Sequence, residues 1–136
     1  MTDQHLIAKR LALVESVIGD LRRLARIDAI ATDVKEQRFV EHSLQIAIQA
    51  CLDCAFHIIA DEKLGEPQSN GDAFRILARS GWLSPEQVAQ LIAMAGFRNI
   101  LVHGYVAVDL AVVIDVVSNH LNDLLNFVTA IRARLT

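Results

Sequence analysis

The chain has 136 residues, enough for one domain with its own core and no need of disulfide or metal staples. Hydrophobic residues make up 53% and aromatics only 5%, which points to a Leu, Ile, Val and Ala core of the helical-bundle kind, with apolar surface to spare for a contact between subunits. The formal net charge of −3 excludes a global positive field, so any nucleic-acid contact must rest on a local basic site.

The chain is expected to be soluble and cytoplasmic. Its two cysteines, Cys51 and Cys54, are too few and too close for a disulfide framework, which fits a reducing compartment. The stretch Met1 to Arg10 lacks the charged-then-apolar layout of a signal peptide. The most apolar run, Val106 to Val117, is interrupted by Asp109 and Asp115 and is too short to span a bilayer.

Ile7, Leu11, Val14, Ile18, Leu21 and Ala25 alternate at spacings of four and three, the stripe of an amphipathic first helix, with Thr2 or Asp3 as its cap. Its other face carries Arg22, Arg23 and Arg26, the densest basic patch in the chain. That patch reads as a solvated face near a helix C-terminus or, functionally, as a phosphate contact. The pattern resets at Asp33, a second N-cap, with Glu36 at the reciprocal capping-box position. A long second helix should follow to about Lys63, with the stripe Val40, Leu44, Ala47, Cys51, Cys54 and Ile58. Ala47, Ala50, Ala55 and Ala60 leave room on it for close neighbours.

Gly65, Pro67, Ser69, Asn70 and Gly71 mark a loop from Leu64 to Gly71, and a short helix anchored by Phe74 and Leu77 should span Asp72 to Arg79. Ser84, Pro85 and Gln87 spell the cap, first position and capping-box position of the next helix. Val88, Leu91, Ile92 and Ala95 would turn its face inward as it leads to Arg98. After Gly104, the run Val106 to Val117 has strand-like β-branched composition. Even so, Leu110, Ile114, Val117, Leu121, Leu124, Val128, Ile131 and Leu135 keep helical spacing, predicting one continuous helix capped by Asp109. With no repeat, low-complexity tract or linker, the sum is a single all-α domain over 1–136: an up-down bundle of four long helices and one short connecting helix.

Two residue clusters invite a chemical role. Cys51-x-x-Cys54 with His57 resembles a metal or redox motif, but it lies mid-helix at stripe positions, where small core residues are expected, and no metal is predicted. His5, His42 and His120 have no spaced partners. The second cluster is Arg98-Asn99-x-x-x-His103-x-Tyr105. An arginine can steady charge on a phosphate and a histidine can move protons near neutral pH. Asn99 and His103, four apart, share a helix face, whereas five residues turn through about 140°, so Arg98 must reach around to His103 or meet the histidine of another subunit. A bland alternative has Arg98 in a salt bridge, His103 near the helix end and Gly104 as the left-handed stop.

The second cluster resembles the Arg-x4-His-x-Tyr signature of HepT-like toxins in the HEPN superfamily. The likeness continues through Glu41, Leu44, Gln45, Ala47 and Ile48, then Cys51 to Ala55, His57 and Ile58, and through Pro67, Phe74, Leu77, Gly81 and Phe97. The resemblance implies a cytoplasmic, homodimeric toxin: a metal-independent RNA endonuclease that requires no cofactor. Arg98 and His103 would be catalytic and Asn99 supporting. A minimal nucleotidyltransferase antitoxin would bind the chain and place AMP on Tyr105. The alternative from a different class is a non-catalytic helical partner, or nucleotide-binding module, of a nucleotidyltransferase.

Overall fold

The computed structural model describes residues 3–103 and 108–135, and every described element is helical. In chain order these are α1 (Gln4–Leu24), a 3₁₀ turn (Ile27–Ala29), α2 (Val34–Asp61), α3 (Asn70–Arg79), α4 (Pro85–His103), α5 (Leu110–Asn119) and α6 (Leu121–Leu135). The capping residues behave largely as their chemistry dictates. Asp3 accepts the Leu6 N–H at 3.2 Å and opens α1, and Asp33 accepts the Lys35 N–H at 2.9 Å and opens α2. Ser84 and Gln87 complete a reciprocal box: Gln87 N–H donates to Ser84 Oγ at 3.3 Å, and Ser84 N–H donates to Gln87 Oε1 at 3.0 Å.

Glu36 behaves differently from the expected box at the start of α2. Its carboxylate accepts the Arg26 N–H at 2.9 Å, so it ties the preceding turn to α2. Helix α3 also starts two residues before the expected Asp72, because Ser69 Oγ captures the Asp72 N–H at 3.1 Å and draws Asn70 and Gly71 into the first turn.

Helix α2 is the central element, packing against α1, α3, α4, α5 and α6. Val40, Leu44, Ile48, Leu52, Ile58 and Ile59 are buried, and Ala47, Ala50 and Ala55 let neighbouring backbones approach, while Ala60 lies exposed near the end. By length and composition α2 could cross a membrane, but 61% of its most apolar window is buried inside the bundle, so its hydropathy is that of a core helix. Cys51 and Cys54 are free, buried members of that core. Burial pushes the Cys51 thiol well up and Cys54 to about 12, as expected of protonated thiols packed in a core.

The single helix expected from Asp109 to Leu135 is two helices. Asp109 caps α5 as expected, accepting the Ala111 N–H at 2.9 Å, but the chain leaves helical geometry at His120 (φ −122°, ψ 6°). The His120 N–H closes α5 on Val116 O, and its carbonyl accepts the Asp123 N–H at 3.1 Å to open α6. Its imidazole spans the break, with Nε2 3.1 Å from Asp115 and Nδ1 3.2 Å from Asp123. Those carboxylates on either side give His120 the partners that linear spacing did not reveal. The break also turns α5, which buries Val113, Val116 and Val117 while Leu110 and Ile114 are only half-buried. On α6, Phe127 is fully buried and meets Phe74 edge-on, with centroids 5.8 Å apart, joining α6 to α3 through the core.

Candidate functional site

The last two turns of α4 present the candidate residues. Leu91, Met94, Ala95 and Phe97 are buried and fix the helix against the core. Beyond them Arg98 is half-buried, whereas Asn99 and His103 are exposed. The apolar residues between them divide. Leu101 is half-buried against the core, but Ile100 is 55% exposed and Val102 also faces outward. The site therefore sits beside uncovered apolar side chains.

Arg98 Nη1 donates to Asn99 Oδ1 at 3.3 Å, and the same oxygen accepts Asn70 Nδ2 at 3.4 Å. Asn70, in the first turn of α3, was not among the residues singled out from the sequence. Twenty-nine positions separate it from Asn99, and no local pattern links them. Arg98 Nε is buried without a hydrogen-bond partner, and among the described residues no carboxylate pairs with Arg98. The intramolecular form of the salt-bridge alternative is therefore not realised among those residues. A half-buried, planar guanidinium with unspent donors is suited to an oxyanion such as a carboxylate or a phosphate.

His103 is the last residue of α4, and no hydrogen bond joins it to Arg98. Along one helix the two side chains diverge as their spacing requires. Tyr105 lies outside the described residues.

The other cationic cluster makes exposed contacts, two of them to carboxylates. Arg23 pairs with Asp20 within α1 at 2.7 Å, Arg26 reaches the Asp33 cap of α2 at 3.7 Å, and Arg22 donates to Asn122 Oδ1 on α6 at 2.6 Å. His57, the third member of the cysteine motif, lies 3.0 Å from Asp61. No group of metal-binding side chains forms among the described residues.

The fold and site define a class: all-helical bundles that present an arginine, an asparagine and a histidine near the end of one helix. The family model for HepT-like ribonucleases matches residues 11–131, and the chain belongs to that family. It is 32% identical over 132 residues to the mRNA nuclease HepT of Shewanella oneidensis, covering 94% of this chain and 97% of the relative. It is also 32% identical to the tRNA nuclease HepT of Aphanizomenon flos-aquae, over 76% of this chain and 72% of that one. Among solved structures, the tri-AMPylated Shewanella oneidensis HEPN toxin in complex with its MNT antitoxin superposes with a TM-score of 0.88, at 33% identity, over 98% of this chain and 99% of that one. The ribonuclease family expected from the motif is thus borne out over nearly the whole chain.

Proposed function

We propose that this chain is the toxin of a toxin–antitoxin pair, a cytoplasmic endoribonuclease whose site is centred on Arg98 and His103. The observation that carries the site assignment is the state of Arg98: half-buried, with an unpartnered Nε and no described carboxylate to neutralise it. In the proposed reaction a ribose 2′-hydroxyl attacks the adjacent phosphorus. The 2′-oxygen–phosphorus bond forms, the bond to the 5′-oxygen breaks, and the products are a 2′,3′-cyclic phosphate and a 5′-hydroxyl. Arg98 holds the phosphate and offsets the charge that gathers on its oxygens. His103 takes the proton from the 2′-hydroxyl or delivers one to the departing 5′-oxygen. Asn99 supports Arg98 and the phosphate.

A homodimer completes this arrangement. Arg98 and His103 diverge on one helix, and the exposed Ile100 and Val102 beside them are suited to burial against a second copy. Two facing motifs would supply two guanidinium groups and two imidazoles to one cleft. The local positive site that an acidic protein needs for RNA would then come from both copies.

The neutralising partner is proposed to be a nucleotidyltransferase antitoxin, with Tyr105 as the acceptor of AMP. Supporting this, the Shewanella oneidensis neighbour was solved as an AMPylated toxin bound to its MNT antitoxin. AMP on a phenol two residues from His103 adds bulk and negative charge where an RNA phosphate must dock.

The test is induction of the chain in a bacterial host beside Arg98→Ala and His103→Ala at equal soluble levels, with total RNA analysed for new 5′-hydroxyl ends. Growth arrest and cleavage by the wild type alone are expected; cleavage retained in purified His103→Ala would overturn the assignment. Tyr105→Phe should abolish incorporation of AMP by the antitoxin, and AMP found on another residue would refute Tyr105 as the acceptor.

A further inference from the structure

Building on that site, we infer that Asn70 is a positioning residue for catalysis, bracing Asn99 and through it Arg98 from the first turn of α3. Two donors, Asn70 Nδ2 and Arg98 Nη1, converge on Asn99 Oδ1 at 3.4 Å and 3.3 Å. An amide oxygen has two lone pairs, and both are engaged here. Arg98 can only donate, so it requires Asn99 Oδ1 on its side, and Asn70 can then meet that oxygen only with its own –NH₂. Asn99 Nδ2 is therefore left facing away from both partners as a donor. Together with the Arg98 guanidinium, which can only donate, it presents donors to phosphate oxygens, which only accept.

The brace is anchored. Ser69 caps α3 through the Asp72 N–H at 3.1 Å, and the Asp72 carboxylate accepts the Gln68 N–H at 3.0 Å, fixing the turn that carries Asn70. The next residue, Gly71, packs against α4, since a Cβ there would lie 3.5 Å from Ile92. A half-buried Asn70 on this seated turn restrains a guanidinium that would otherwise sample many rotamers. A restrained cation needs less reorganisation as charge develops on phosphorus.

The decisive substitution is Asn70→Asp. At the first turn of a helix a carboxylate is favourable, so α3 should keep or gain stability. As an acceptor, however, it repels Asn99 Oδ1, releases the Asn99 amide to flip, and brings a carboxylate toward Arg98. Three measurements decide the matter. In the full-length protein, the Asn99 side-chain amide resonances should shift in both Asn70→Asp and Asn70→Ala; unshifted resonances overturn the brace whether or not the protein cuts RNA. With a cleavable oligoribonucleotide, Asn70→Ala should lower kcat about 3–10-fold with little change in KM, and Asn70→Asp should lower it about 30-fold or more at unchanged Tm. Wild-type rates in Asn70→Asp, or a loss of rate that tracks a falling Tm, would overturn the positioning role. Finally, Asn70→Ala should cost nothing further in an Asn99→Ala background, whereas additive losses would show that Asn70 acts by another route. A wild-type protein that leaves RNA intact would count against the ribonuclease assignment of the site, and the amide resonances would still decide the brace.

Discussion

The C-terminal end of α1 and the C-terminal end of α4 both carry cations, and they hold them in different surroundings. Arg22, Arg23 and Arg26 form the denser patch in sequence, yet each is matched by a partner in Asn122, Asp20 or Asp33. Arg98 stands in a mainly apolar stretch and, among the described residues, donates to the neutral amide of Asn99, as Arg22 does to that of Asn122, but its Nε is buried without a partner. The amide orients the guanidinium without cancelling its charge. Burial, rather than charge density, separates the two regions: the α1 guanidinium groups make exposed contacts, whereas Arg98 Nε is buried without a partner.

That contrast is sharpest under substitution. Arg98→Ala and His103→Ala should each lower RNA cleavage by about 10²–10⁴-fold while leaving Tm nearly unchanged, because both side chains lie outside the core. Arg22→Ala and Arg26→Ala should leave the specific rate within about twofold and reduce stability by less than ~1 kcal/mol. A large rate loss in Arg22→Ala would break the comparison and place the first helix in the RNA path.

The largest expected stability effect lies in neither region but in the core that joins α3 to α6. Phe127→Ala removes a fully buried ring and its edge contact to Phe74, and denaturant unfolding should register a loss of about 3–5 kcal/mol. His120→Ala should cost less, on the order of 1 kcal/mol, by removing a half-exposed imidazole that joins Asp115 and Asp123 across the helix break. A stability unchanged in His120→Ala would mean that the backbone alone maintains the break.

The smallest effect is electrostatic and pH-dependent. Arg132 holds the Glu15 carboxyl below its usual value through paired hydrogen bonds of 2.8 Å and 2.6 Å, linking α1 to α6. Asn119, with His120, lowers Asp115 in the same sense. A carboxyl whose folded pKa is depressed adds stability above its unfolded pKa of about 4 and loses it as pH falls through the folded value. Glu15→Gln should therefore be slightly less stable than the wild type at pH 7, by less than ~1 kcal/mol for so exposed a pair. The two proteins should converge once acid has protonated Glu15, and a difference that persists there would assign the effect to packing.

Much of the fold was legible because helices advertise themselves locally. The four-three stripe of α1, the Asp33 cap and the Ser84–Gln87 box depend on neighbours within one turn, and all appear where expected. The His120 break escaped notice because it leaves the apolar stripe in phase. Val117 and Leu121 are four apart and both buried across it, and the carboxylates that hold the imidazole had no distinguishing pattern. Glu36 likewise satisfied a motif on paper, but tertiary proximity gave it a different donor in Arg26.

The sequence by itself determined the helical class, the family and the presence of arginine, asparagine and histidine on one stretch, since residue type and short spacing are properties of the chain. Only the tertiary structure decided which guanidinium nitrogen is buried without a partner, where α5 turns into α6, and that Asn70 meets Asn99 across the α3–α4 seam. Those are facts about partners brought together from distant positions, and linear spacing does not carry them.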